Sequence, residues 1–246
     1  MFWKYILIAL ASVLVACTEK PSDEGGSESG PEPQPPVAGT EWTDVSDQFG
    51  ELPSYIKVMK SPSRLQGKKA IAYIAVADMN EAEWDVWSIN DPLLEGSSDS
   101  FKTPSMVYGE TSCPIVINAG FFYASGGKNY SASLAVRDSE VLACNINYAS
   151  EDWVSIYYPT SAALVEKQDG TIDACWTYVN GSGVHYTYQT PADNSYDKSP
   201  LQVPSATFPE KGVKFEAQTA IGGGPVLING GEYANTWKAE MFDVGG

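Results

Sequence analysis

From residue 54 onward the chain alternates apolar and polar positions over short stretches, the period-two pattern of half-buried strands. "YIKVMK" (55–60) and "KAIAYIAVAD" (69–78) predict two strands, the second bounded by Gly67 and by the polar "DMNEAEWD". "WDVWSI" (84–89) alternates too, with Trp84 and Val86 on one face and Asp85 and Trp87 on the other. "SFKTPSMVYGET" (100–111) predicts a brief helical turn leading into "CPIVIN", an apolar strand that stops at Asn118. "SASLAVRDSEVLACN" (131–145) reads as a hairpin turning at Asp138-Ser139, and "AALVEKQDGTIDACWTYV" (162–179) as a second turning at Asp169-Gly170, where positive φ is tolerated. "GVHYTYQT" (183–190) and "AQTAIGGGPVLINGGEY" (217–233) add further strands, the last turning at Asn229-Gly230 or Gly230-Gly231. Strand signals outnumber helical ones and no internal repeat is present. The fold class expected is α+β, mainly antiparallel sheet with a few covering helices, in one domain over 42–246.

The first forty residues follow other rules. Lys4 gives a short positive start, Tyr5 to Val15 is almost wholly apolar, and "LVAC" places small residues before Cys17. An apolar run this short is a secretory leader, since a membrane span needs about 20 residues. "LVAC" resembles the lipobox of bacterial lipoproteins, which implies a signal peptide over 1–16 and an acylated Cys17 at the new N-terminus. Each buried acyl methylene contributes about 0.8 kcal/mol, so several chains on one cysteine anchor durably. Residues 18–40, "TEKPSDEGGSESGPEPQPPVAGT", are rich in Pro, Gly, Ser and Glu and hold no aliphatic core former except Val37. Such a segment buries too little apolar area to fold and reads, over 17–41, as a tether. The expected location is a bacterial cell envelope, lipid-anchored to the outer membrane on its periplasmic or exposed side.

Charge and cysteine content narrow the chemistry. The chain has 246 residues, 15 basic and 31 acidic, for a net charge of −16. That surface repels nucleic acid and anionic headgroups. Cys113, Cys144 and Cys175 follow Cys17 in a chain with a single histidine, His185. An odd count leaves at least one thiol unpaired, and the pairing stays open. With one histidine and no close Cys pair, no metal site and no cofactor are expected. His185 lies in an alternating aromatic strand and reads as a strand position.

Two glycine segments carry the candidate site. "PIVINAGFFY" (114–123) passes from branched apolar residues through Asn118, Ala119 and Gly120 to three aromatic rings. Roughly a hundred residues later, "AIGGGPVLINGGE" (220–232) sets Gly222, Gly223 and Gly224 before Pro225, bare backbone that a ligand or another chain segment can approach. It lacks the Gly-Lys-Ser/Thr of a phosphate-binding loop and the spacing of a dinucleotide fingerprint. In this order, with "SLAVRDSEVL" between them, the segments resemble the phosphodiester glycosidase family, the N-acetylglucosamine-1-phosphodiester α-N-acetylglucosaminidase type. The resemblance runs from about Ala70 to Tyr233.

The resemblance implies hydrolysis of the bond between an N-acetylglucosamine-like anomeric carbon and a phosphodiester. It implies Asn118 in the cleft, with Asp78 at a strand end as the acid. Gly120, Gly222, Gly223, Gly224 and Pro225 would bring backbone toward the substrate, and Arg137 would face the phosphate. Of Phe121 and Phe122, adjacent strand residues on opposite faces, one is expected to wall the sugar and the other to enter the core. The family's later Arg-Thr strand and Asp-Gly-Gly-Gly-Ser-like segment do not occur here, so a C-terminally truncated fragment is expected. The alternative reading is a non-catalytic glycan-binding surface lipoprotein, since aromatic residues form 12% of the chain. The partners expected are a carbohydrate or sugar phosphodiester and, through the lipid, a membrane.

Overall fold

The computed structural model describes the backbone of residues 5–10, and residues 41–65, 67–89 and 102–242 in full. Cys17 and the tether to residue 40 lie outside the described residues. The chain divides into two compact units, 1–83 with 107–117, and 84–106 with 118–246. Antiparallel strands dominate both, as the alternation predicts.

The first unit is a four-stranded antiparallel sheet of β1 (Tyr5–Leu10), β2 (Thr43–Asp44), β3 (Ile56–Lys60) and β4 (Tyr73–Asp78), in the order β1-β4-β3-β2. β1 comes from the apolar stretch expected to be a leader. Its backbone pairs with β4 from Tyr5 opposite Asp78 to Leu10 opposite Tyr73. Ile56 and Val58 are buried on alternate positions of β3 with Val45 beside them, while Lys57 between them is exposed. Ser46 Oγ accepts the Val58 N–H at 2.9 Å, satisfying backbone that the two-residue β2 leaves unpaired.

Helix is scarcer than expected. One α-helix occurs among the described residues, α1 (Pro104–Thr111), at the predicted helical turn. Pro104 at its first position needs no hydrogen-bond partner, and Thr103 Oγ1 accepts the Met106 N–H as a cap. None of its residues is buried, so it covers no sheet. "CPIVIN" is a second departure: it forms no strand, and the ladder begins only after the glycine, at Phe122. "WDVWSI" likewise joins no ladder. Alternation marks which side chains can share a face; a strand also requires a partner edge for its backbone.

The second unit holds β5 (Phe122–Ser125), β6 (Lys128–Ser131), β7 (Ala135–Arg137), β8 (Glu140–Ala143), β9 (Ser161–Glu166), β10 (Ile172–Val179), β11 (His185–Tyr188), β12 (Val213–Lys214), β13 (Thr219–Gly222), β14 (Ile228–Asn229) and β15 (Glu232–Tyr233). Seven of them form one antiparallel sheet in the order β12-β11-β10-β9-β13-β7-β8, and β5-β6 and β14-β15 are separate hairpins. The predicted turns hold. Asp138 and Ser139 both have positive φ, as do Gly230 and Gly231, the conformation that matches the twist of a two-residue hairpin. In the β9–β10 turn only Gly170 has positive φ, and Asp169 instead accepts the Thr171 N–H at 2.9 Å.

Both faces of the seven-stranded sheet bury apolar side chains. Leu134, Val136, Ala163, Val165, Cys175 and Ala220 form one cluster, and Ala162, Trp176, Tyr178, Tyr188 and Val226 the other. Neighbours in sequence fall in opposite clusters, as a period of two requires. Among the described residues Cys113, Cys144 and Cys175 are free thiols, and burial pushes Cys175 up to about 12, so it behaves as a small apolar residue.

His185 on β11 is half-buried, and its ring meets Phe215 edge-on at 5.1 Å. Burial lowers its imidazole below the ordinary 6.5, favouring the neutral ring in the fold. That stability is full above about pH 6.5 and is lost as pH falls through the folded value. Denaturant midpoints between pH 8 and 5 are expected to fall more steeply in the wild type than in His185→Phe. Equal slopes would mean that His185 carries none of the dependence.

Candidate functional site

The two glycine segments meet. A β-carbon on Gly120 would stand 2.3 Å from Ser133 Cβ and 3.1 Å from the Gly222 carbonyl oxygen. One on Gly222 would stand 2.7 Å from Asn145 Oδ1 and 2.8 Å from the Leu134 nitrogen. Glycine is needed at both positions for close approach, not for an unusual φ. The contact is stitched by hydrogen bonds: Phe121 N–H donates to Ser133 Oγ at 2.8 Å, and Gly222 N–H to the Leu134 carbonyl at 2.8 Å.

Asn145, just past the end of β8, completes the junction. Its Oδ1 accepts the Leu134 N–H at 2.8 Å, and its Nδ2 donates to Thr177 Oγ1 at 2.9 Å. Thr177 Oγ1 donates onward to the Ser161 carbonyl at 3.3 Å. This chain ties β7, β8, β9 and β10 to the glycine crossing. Ser133, Asn145 and Thr177 were not singled out from the sequence. An amide directly after a strand was the available signal for Asn145, while Ser133 and Thr177 look like ordinary polar positions of alternating strands.

Gly223 and Gly224 differ from Gly222: a β-carbon on either would meet nothing within 4 Å. Gly223 N–H donates to the Ala162 carbonyl at 3.4 Å, and Gly224 is exposed. They present open backbone beside the crossing, followed by half-buried Pro225. Asn118, two residues before Gly120, is exposed. Neither phenylalanine enters a core, correcting the expected division of roles: Phe121 is 53% and Phe122 59% exposed. Phe121 meets Phe242 at 5.7 Å between centroids. The hairpin they begin is two-stranded, so no opposing layer covers either ring from within it.

Arg137 and Asp78 each have partners of their own. Arg137 is buried, its Nη1 donating to the Val86 carbonyl at 3.5 Å and its guanidinium 5.2 Å from the Trp87 ring. The "WDVWSI" segment thus packs over it instead of forming a strand. Asp78 belongs to the other unit, where its carboxylate accepts from Asn80 N–H at 2.9 Å and Asn80 Nδ2 at 2.7 Å. A surface cavity of about 360 Å³ between Val136, Val141, Gln168 and Phe215 is lined by none of the predicted site residues.

Glu240 is a buried carboxylate that the sequence presents as an ordinary charge. It accepts from Ala162 N–H at 3.1 Å, Val226 N–H at 3.3 Å and Thr236 Oγ1 at 2.7 Å. The Trp176 indole N–H lies beside it and favours its charge, yet meets no acceptor at hydrogen-bonding geometry. Burial outweighs these donors and raises the carboxyl above the usual range. Its position between β9 and Val226 makes it a clamp on the exit of the glycine-Pro segment.

Comparison with protein-family models, with curated proteins and with solved structures finds no match to this chain. The family resemblance therefore stands on the residue pattern alone.

The crossing generates two expectations. Gly120→Ala and Gly222→Ala should each cost about 1–3 kcal/mol through overpacking, whereas Gly223→Ala should stay within about 0.5 kcal/mol. Denaturant melts decide it, and equal costs at all three positions would refute the close-approach account. Glu240→Gln should lower stability by about 1–3 kcal/mol, because one carbonyl oxygen cannot serve all three donors. With a raised folded value, the Glu240 contribution is full below about pH 4.5 and is lost as pH rises through that value, opposite in sign to His185. The slope difference between wild type and Glu240→Gln measures it.

Proposed function

We propose that the protein is a membrane-anchored glycosidase that hydrolyses a sugar-1-phosphodiester bond, with an N-acetylglucosamine-like sugar, in envelope or glycan substrates. The observation that supports this reading is the meeting of Gly120 and Gly222. The two segments that carry the family resemblance are remote in sequence and share one junction. Exposed Asn118, Phe121 and Phe122 lie on one side of that junction in sequence, and the open backbone of Gly223 and Gly224 on the other.

The chemistry suits such a surface. Water displaces phosphate at the anomeric carbon; the carbon–oxygen bond to phosphate breaks, its electron pair leaves with the phosphate, and the water proton passes to solvent. A phosphate is already a good leaving group, so the reaction needs less proton donation than ordinary glycoside cleavage. It needs dipoles placed where charge develops. The Asn118 amide and the exposed backbone of Gly224 supply these, the N–H groups of Gly222 and Gly223 being taken by the Leu134 and Ala162 carbonyls, while a flat aromatic ring packs against the sugar. Asp78 has its carboxylate engaged by Asn80, and this reading does not depend on it. Cys17 would hold the enzyme at the membrane through its lipid.

The other reading, a non-catalytic glycan-binding lipoprotein, is favoured by one specific observation. Glu240 is the only buried carboxylate among the described residues, and its oxygens are taken by structural donors.

Incubation with the methyl diester of N-acetylglucosamine 1-phosphate separates the two. The glycosidase is expected to release free sugar. Asn118→Ala should lower kcat/KM about 100-fold or more, with a stability change within about 0.5 kcal/mol. Parallel losses of fold and turnover would remove Asn118 from the site, and no sugar release by wild type would leave only the binding reading.

A further inference from the structure

The hairpin that leaves the glycine crossing carries a preset aromatic face. Tyr123 on β5 and Tyr130 on β6 are direct cross-strand partners. Their rings stack 5.2 Å apart and 20° from parallel. The Gly126-Gly127 turn, with φ of +58° and +79°, fixes the register that makes them partners. The pair is still open to solvent, Tyr123 at 43% and Tyr130 at 37% of their surface. Period two places Phe121 on the same face toward the crossing, and Ser125 opposite Lys128 toward the tip.

We propose that the Tyr123–Tyr130 pair is a carbohydrate subsite that takes a pyranose ring of the same glycan whose sugar is handled at the glycine crossing. This rests on the carbohydrate reading of that crossing, not on turnover there. Three features select a sugar over a protein or a lipid surface. The face joins flat ring area to phenolic hydroxyls, which matches a pyranose with its apolar C–H side and hydroxyl rim. It has no aliphatic side chains to fill a partner's pocket or enter a bilayer, and its tip carries Ser125 and Lys128 instead. It is also continuous with the candidate site: Tyr123 lies three residues beyond Gly120, about 10 Å of extended chain. A short oligosaccharide can span that distance. Stacking the two rings on each other removes the cost of ordering them when ligand arrives.

The test is a titration of the full chain with N-acetylglucosamine and with its linear dimer to tetramer, read on the tyrosine ring resonances. The longer oligomers are expected to shift the Tyr123 and Tyr130 signals and to bind about tenfold more tightly than the monosaccharide. Tyr123→Ala and Tyr130→Ala should each weaken tetramer binding about tenfold, while Tyr123→Phe, which keeps the ring, should stay within about threefold. Unchanged melting temperatures show that the alanine variants remain folded. Unmoved ring signals in the wild type, or alanine variants that bind as the wild type does, would overturn the subsite. Self-association abolished by Tyr123→Ala with no response to oligosaccharide would also overturn it, making the face a protein contact. Turnover of the methyl diester reports separately on the glycosidase. Ring shifts without turnover keep the subsite and remove hydrolysis; turnover without ring shifts does the reverse.

Discussion

Gly222 donates its N–H to the Leu134 carbonyl at 2.8 Å, while Leu134's own N–H is taken by Asn145 and Gly120 presses against Ser133. This packing of backbone on backbone is what the larger unit is arranged around. Leu134 is fully buried, and its peptide groups would be costly without partners. The amide of Asn145 and the carbonyl-seeking N–H of Gly222 satisfy both sides of that one residue. A β-carbon at either glycine would push the segments apart and break these bonds together, so packing and polar satisfaction fail or hold as one.

The same junction explains how a sheet with two buried faces stays in register. Thr177 lies on β10 between two core positions, Trp176 and Tyr178, and is itself buried. Its hydroxyl accepts from Asn145 and donates to the Ser161 carbonyl, so a polar group in the interior is fully used. Glu240 does similar work farther along, gathering N–H groups of Ala162 and Val226 under one carboxylate. Burying that charge is unfavourable, and three donors offset it only in part, which is why its carboxyl is harder to ionise than usual.

Around this junction the aromatic residues are left outward. Phe121, Phe122, Tyr123 and Tyr130 all sit on or beside a two-stranded hairpin, which has no second layer to hide them. Arg137 is not among these outward groups, since its guanidinium is packed against Trp87.

The sequence was most legible where structure is local. Asp138-Ser139, Asp169-Gly170 and Gly230-Gly231 turn the chain as their residues require, because φ at a turn depends on a few neighbouring atoms. The alternating strands between those turns follow, as does the short helix at Pro104. "CPIVIN" and "WDVWSI" show the limit: each has the right pattern, yet each lacks a neighbouring edge, and no property of the segment itself supplies one. The candidate site divides the same way. The missing side chains at Gly120 and Gly222 were visible in the sequence, but not that each makes room for the other's surroundings. Nor were the roles of Ser133, Asn145 and Glu240 visible, since a polar residue reads alike whether water or a buried peptide is its partner. By itself the sequence determined the turns, the strand periods and the positions bare of side chains. Only the tertiary structure decided which strands pair, which rings stay exposed and which polar groups are buried, because these depend on residues brought together from far apart in the chain.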